Sequence, residues 1–248
     1  MATIHPIRLS GQARRPLAVE FLDKYFYFLM SLLIVAIVIY GFSHTIGDNL
    51  LHPAEPRPGL LYLHAVCFSA WLAFFFFQSL LVRTRNVRVH RLTGWFGVAL
   101  GALMVVLGYI IAVVMARFNL HTLHQADAVP FLIVPLFDIT NFAIFLTLAV
   151  LWRRKPELHR RLILLATCDI TAAGFGRFPF HFPPPLLFYY GVDALMLLGV
   201  VRDVIVNRRI HKVYLYTLPA LAACQWVVVY VFLHQPALWM KISRALLG

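Results

Sequence analysis

With 248 residues, 61% of them hydrophobic and 13% charged, and a mean hydropathy of +0.79, the chain is too apolar for an ordinary soluble domain, whose charged share is nearer about a quarter. The formal net charge of +12 would point to nucleic acid in a soluble protein, but here the basic residues cluster in short segments between apolar runs, a pattern of membrane topology that excludes a nucleic-acid partner. Cys67, Cys168 and Cys224 sit inside apolar runs with no CxxC spacing, which excludes a disulfide framework and a zinc knuckle.

Residues 1–23 are polar and basic and lack the apolar stretch and small-residue cleavage site of a signal peptide, so they read as a cytoplasmic segment and the first apolar run directs insertion. Seven runs follow, at 24–43, 60–82, 94–116, 130–152, 161–180, 185–206 and 213–233, each near the roughly 20 residues that a helix needs to cross a hydrocarbon layer of roughly 30 Å. The fifth is the least apolar. The expected architecture is therefore an all-α, polytopic membrane bundle of seven transmembrane helices over 24–233, with a short tail at 234–248. With the N-terminus inside, seventeen of the 22 basic residues fall in inner segments and only Arg57, Arg117, Arg177, Lys241 and Arg244 fall outside. That bias predicts a cytoplasmic (inner) membrane protein with its N-terminus in the cytoplasm and its C-terminus outside. The third run carries a heptad stripe of glycine, Gly94, Gly101 and Gly108, on which a neighbouring helix or a flat ligand can approach closely.

Polar groups inside the runs are the candidates for chemistry, because lipid makes an idle ionisable side chain costly. In the second run His64, Trp71 and Gln78 are seven apart and share one face. In the fifth, Asp169 lies about 15 Å along from His159, near the membrane centre. Asp138 and Asn141 on the fourth and Asp193 on the sixth complete the set. Asp169, Asp193 and Arg177 are a candidate proton or ion pathway, with a structural ion pair between Arg177 and one aspartate as the plainer account. The histidines sort by leaflet: His64 with His121 or His124 at the outer side, His90 with His159 at the inner side. One pair per leaflet, drawn from alternating helices, suits two six-coordinate haems in a bundle core, with Arg91, Arg160 and Arg161 beside the inner propionates.

The stretch LHAVCFSAWLAFFFFQSLLVRTRNVRVHRLTGWFGVALG, from Leu63 to Gly101, resembles the transmembrane di-haem cytochromes of the b561 type, in which a histidine early in one helix is followed by a tryptophan, a basic turn, a histidine at the next helix start and a glycine. The resemblance implies haem b, transmembrane electron transfer between an unspecified donor and acceptor, and His64, His90, His124 and His159 as axial ligands. The stretches HRRLILLATCDITAAGFGRFP and VHRLTG are similar to segments of uncharacterised bacterial multi-span membrane proteins. Two further classes stay open: an outer-face zinc or iron site built from His64, His121, His124, Asp138, His181 and Asp193, which would make the chain a metalloenzyme, and a cofactor-free transporter, sensor or accessory subunit. Whether the chain is an enzyme, an oxidoreductase of the membrane if so, and whether it forms a homo-oligomer are also left open.

Overall fold

The computed structural model describes residues 16–179 and 188–248; His181, the proline run Pro183 to Pro185 and the basic segment before residue 16 lie outside them. Among the described residues all regular structure is helical. The helices are α1 (Leu17–Ser43), α2 (Gly59–Arg83), α3 (Val87–His121), α4 (Ala128–Phe131), α5 (Ile133–Leu151), α6 (Pro156–Asp169), α7 (Ala172–Phe175), α8 (Phe188–Asn207), α9 (Lys212–His234) and α10 (Ala237–Leu247), with a π-helical turn at Gly47–Leu51. Among the described residues five segments are long and apolar enough to cross a membrane: α1, α2, α3, α4 with α5, and α9. The connections between α2 and α3 and between α5 and α6 are a few residues each, so these pairs are antiparallel hairpins with their tight basic turns at one end of the bundle, here called the basic end.

The fifth apolar run departs from expectation. It begins earlier, at Pro156, whose fixed φ suits a first helical turn, and it stops at Asp169 after 14 residues, about 21 Å. The chain then takes a tight step in which the Thr171 N–H bonds the Cys168 carbonyl and the Thr171 hydroxyl donates to that same oxygen at 2.5 Å, before the short α7 resumes. A side-chain hydroxyl that competes for the last carbonyls of a helix ends it locally. The low apolarity of the run also has a physical reason: α6 packs against α1, α5, α8 and α9, and meets α2 through the Trp71 indole, which donates to Thr167 Oγ1 at 3.4 Å. Leu162, Leu164, Leu165, Ala166, Thr167 and Cys168 are all buried, so the helix has no lipid-facing side to keep apolar. Lipid is as apolar as leucine, so such a helix is held by close packing and polar pairing more than by hydrophobic burial.

Close packing is most severe where α1 meets α7. A Cβ at Gly41 would lie 2.1 Å from the Gly174 carbonyl oxygen, so backbone touches backbone there. The glycine stripe of α3 is filled by side chains: Gly97 lies against Phe74, Gly101 against Leu146 and Trp71, and Gly108 against Ile139, while Gly94 meets nothing within 4 Å.

Residues 237–247, expected as tail, form α10. Its Trp239 indole donates to the Pro130 carbonyl at 3.2 Å and its Ser243 hydroxyl to the Val129 carbonyl at 2.6 Å, while Arg117 of α3 donates to the Leu246 carbonyl at 2.7 Å. α4 is thereby tied to α10. Leu238, Ile242 and Leu246, four apart, form an exposed apolar stripe on its other side.

At the basic end His211 caps α9: its Nδ1 accepts the Val213 N–H at 3.2 Å. Partial burial, reinforced by the Arg161 charge, holds the imidazole below its ordinary pKa. A neutral ring is required to accept that bond. Stability from this cap is therefore fully present above the unfolded histidine pKa of about 6.5 and is lost as pH falls through the depressed folded value. Acidification should lower the melting temperature of the wild type more than that of His211→Asn, which caps without titrating; the cap itself is worth about 1 kcal/mol. Parallel pH profiles of the two proteins would contradict this.

Candidate functional site

Two polar layers cross the bundle. The first, at the basic end, follows from the two hairpins: α3 and α6 both start there, which brings His90 and His159 together. Their ring centroids are 6.3 Å apart with planes inclined at 72°. The His159 Nδ1 lies 2.9 Å from the Ala149 carbonyl, which can only accept, so that nitrogen carries the proton and Nε2 keeps its lone pair. A backbone carbonyl in this position is the usual means of orienting a metal-binding imidazole. The His90 Nδ1 is enclosed without a hydrogen-bond partner.

Two further cations of this end are Arg83, whose guanidinium lies 3.9 Å from the Tyr25 ring centroid, and Arg160, at 5.2 Å from the Tyr27 ring centroid. The Nε atoms of both arginines are enclosed and unpartnered, as is the Tyr27 hydroxyl. Arg160 also pairs with Glu157 at 2.5 Å. Arg161 is fully committed elsewhere. Its Nε and Nη2 hold Asp203 in a fork at 2.8 and 2.5 Å, and its Nη1 meets Glu157 at 2.7 Å. Asp203 also accepts from Arg202 at 2.9 Å and from Asn207 at 3.0 Å, and Arg202 reaches Asp23 of α1. Arg161, Arg202 and Asp203 are at most 1% exposed. This network locks α6 to α8 and α1, and so fixes the register of His159.

The fit of a haem iron to the histidine pair can be checked from elementary geometry. Two iron–nitrogen bonds of about 2 Å, plus roughly 1 Å from each nitrogen to its ring centre, require a centroid separation of about 6 Å. The observed 6.3 Å matches that separation, and the neutral tautomer of His159 with the proton on Nδ1 leaves Nε2 available to an iron.

The second layer lies farther along α6. Asp169, 2% exposed, ends the helix with its Oδ2 enclosed and unpartnered. Asp138 faces it from α5, where it accepts from the Tyr189 hydroxyl at 3.0 Å, and Asp193 of α8 accepts from the Gln225 amide at 3.0 Å. Both are the charged neighbours that Asp169 senses. The Asn141 Nδ2, one turn from Asp138, is enclosed and unpartnered. Beyond this layer the His64 ring packs on Phe68 at 4.0 Å, with its Nδ1 also unpartnered.

The other sequence candidates disperse. His124 is exposed in the loop after α3 with φ 53, and no ring contact joins it to His64 among the described residues. His121 lies 3.4 Å from the Leu247 carbonyl, beside α10. Arg91 is exposed. Arg177 donates to the Ala173 carbonyl at 2.5 Å and stands over the Phe42 ring; among the described residues it forms no ion pair with an aspartate. Nor do any three His, Cys, Asp or Glu side chains among them come close enough to hold a metal ion. His181, one of the outer-face candidates, is outside the described residues. Sequence reasoning passed over Asp203, Tyr27, Tyr189 and Gln225. Gln225, a lone amide in an apolar run, offered the same signal as Gln78, and Asp203 beside Arg202 marked an in-run charge pair. Compared with protein-family models, with curated proteins and with solved structures, the chain matches none.

Proposed function

We propose that the chain is a seven-span protein of the cytoplasmic membrane, N-terminus inside and C-terminus outside, that carries electrons by means of one b-type haem held between His90 and His159. The observation that carries this reading is the 6.3 Å separation of two imidazoles from different helices, one of them tautomerically fixed by a backbone carbonyl. The seven spans are α1, α2, α3, α4 with α5, α6 with α7, α8 and α9; the sequence bias of seventeen of 22 basic residues toward the segments read as inner supports that orientation.

Haem, when bound, supplies one-electron chemistry at its iron. The protein's own part is positioning. The Ala149 carbonyl orients His159, and the Arg161–Asp203 fork prevents α6 from sliding or turning. Arg83 and Arg160, each with an unsatisfied Nε donor, would hold the anionic propionate edge, where a guanidinium offers paired donors. The reading keeps one haem: His64 and His124 do not face each other as the second pair.

The test is the reduced-minus-oxidised absorption spectrum of protein purified from haem-replete cells. A low-spin pattern is expected in the wild type and in His64→Ala and His124→Ala, and its loss in His90→Ala and His159→Ala. A colourless wild-type preparation, or an unchanged spectrum in His159→Ala, overturns the proposal.

A further inference from the structure

Asp138 of α5 and Asp193 of α8 are the charged neighbours of Asp169 at the end of α6, and among the described residues none of the three forms an ion pair with a lysine or arginine. Asp138 and Asp193 are each met by one neutral donor, Tyr189 and Gln225. Asp169 has neither: it is 2% exposed, and its Oδ2 is enclosed with no partner. Cys168 is the other titratable neighbour on its own helix, and Tyr189 the other on α8. Three ionised carboxylates in such surroundings, without a cation, would repel one another and lack solvation. Among the described residues too few ligands converge for a metal ion. Protonation answers the repulsion: a carboxylic acid is neutral, and its O–H is a donor that a carboxylate lacks.

We propose that Asp138, Asp169 and Asp193 form an intramembrane proton-binding site, centred on Asp169, that takes up and releases a proton without any cofactor. The site faces away from the basic end. Between it and His159, α6 presents Leu162, Leu164, Leu165 and Ala166, each at most 1% exposed, which block a polar route in that direction. On the other side lie the break after Asp169, the short α7 and the unpartnered His64 Nδ1. The proton therefore exchanges through the end of the bundle opposite the basic turns.

Infrared difference spectroscopy of the full chain in lipid vesicles tests this independently of the haem proposal. The wild type is expected to show the carbonyl stretch of a protonated aspartic acid that responds to pH, moves on transfer to heavy water and moves again when the chain carries isotopically labelled aspartate. Asp169→Asn should abolish or displace the band, and His90→Ala should leave it unchanged. Absence of any titrating aspartic acid band in the wild type, a band that does not respond to heavy water, or an unaltered band in a folded Asp169→Asn overturns the proposal. Should that variant fail to accumulate, the isotope and heavy-water arms on the wild type decide alone.

Discussion

Replacing Asp203 with alanine is expected to destabilise the folded bundle by about 3–5 kcal/mol, the usual cost of removing one partner from an enclosed ion pair. The carboxylate occupies a position no other anion can fill. Arg161 grips both of its oxygens and Arg202 shares one of them, with all three side chains at most 1% exposed. Alanine leaves Arg161 with only the more exposed Glu157 and Arg202 with only Asp23, across the same helix junction. The loss falls on α6, because the fork is its main polar tie to α8. Equilibrium unfolding in mixed micelles measures the difference. Glu157→Gln serves as the contrast: its carboxylate is 56% exposed, so about 1 kcal/mol or less is expected. An Asp203→Ala variant within about 1 kcal/mol of the wild type would show that the network contributes little net stability.

Valine at Gly41 is expected to be comparably damaging, at about 3 kcal/mol or more, the upper end of what overpacking costs. The added Cβ would meet the Gly174 oxygen at 2.1 Å and its carbonyl carbon at 2.8 Å, and backbone cannot rotate aside as a side chain can. Relief requires α1 and α7 to separate. That movement would disturb the segment that follows the Asp169 break. Gly174→Ala is a milder test, since its Cβ would come only to 3.3 Å from Val38, and Gly47→Val should be close to neutral, since nothing lies within 4 Å. Thermal unfolding of the three variants in one detergent should rank Gly41→Val lowest and Gly47→Val nearest wild type; equal melting temperatures for Gly41→Val and Gly47→Val would contradict the contact.

Most helix positions could be read from the chain because a segment in lipid must satisfy its own backbone hydrogen bonds, so an apolar run near the required length becomes a helix. The runs at 60–82 and 213–233 correspond to helices at 59–83 and 212–234. The segment after residue 160 was harder for a physical reason. From Arg161 to Asp169 its helix is almost wholly enclosed, so hydropathy, which reports exposure to lipid, says little about it, and its end at Asp169 is set by the hydroxyl of Thr171. α10 was illegible because its helix is stabilised by long-range bonds from Trp239 and Ser243 to carbonyls of α4, more than a hundred residues away in sequence. The placement of His90 and His159 at one end followed from hairpin topology alone. Which arginines keep an unpartnered Nε donor did not, since the commitment of Arg161 depends on Asp203, whose partner is 42 residues away.

The direct measurement of the central claim is the electron paramagnetic resonance spectrum of the oxidised protein, with haem content per chain determined on the same sample. The account predicts one haem per chain with the low-spin signal of two imidazole ligands, abolished by either His90→Ala or His159→Ala and unaffected by His64→Ala. A wild type without haem, or one whose low-spin signal survives removal of both His90 and His159, would contradict it.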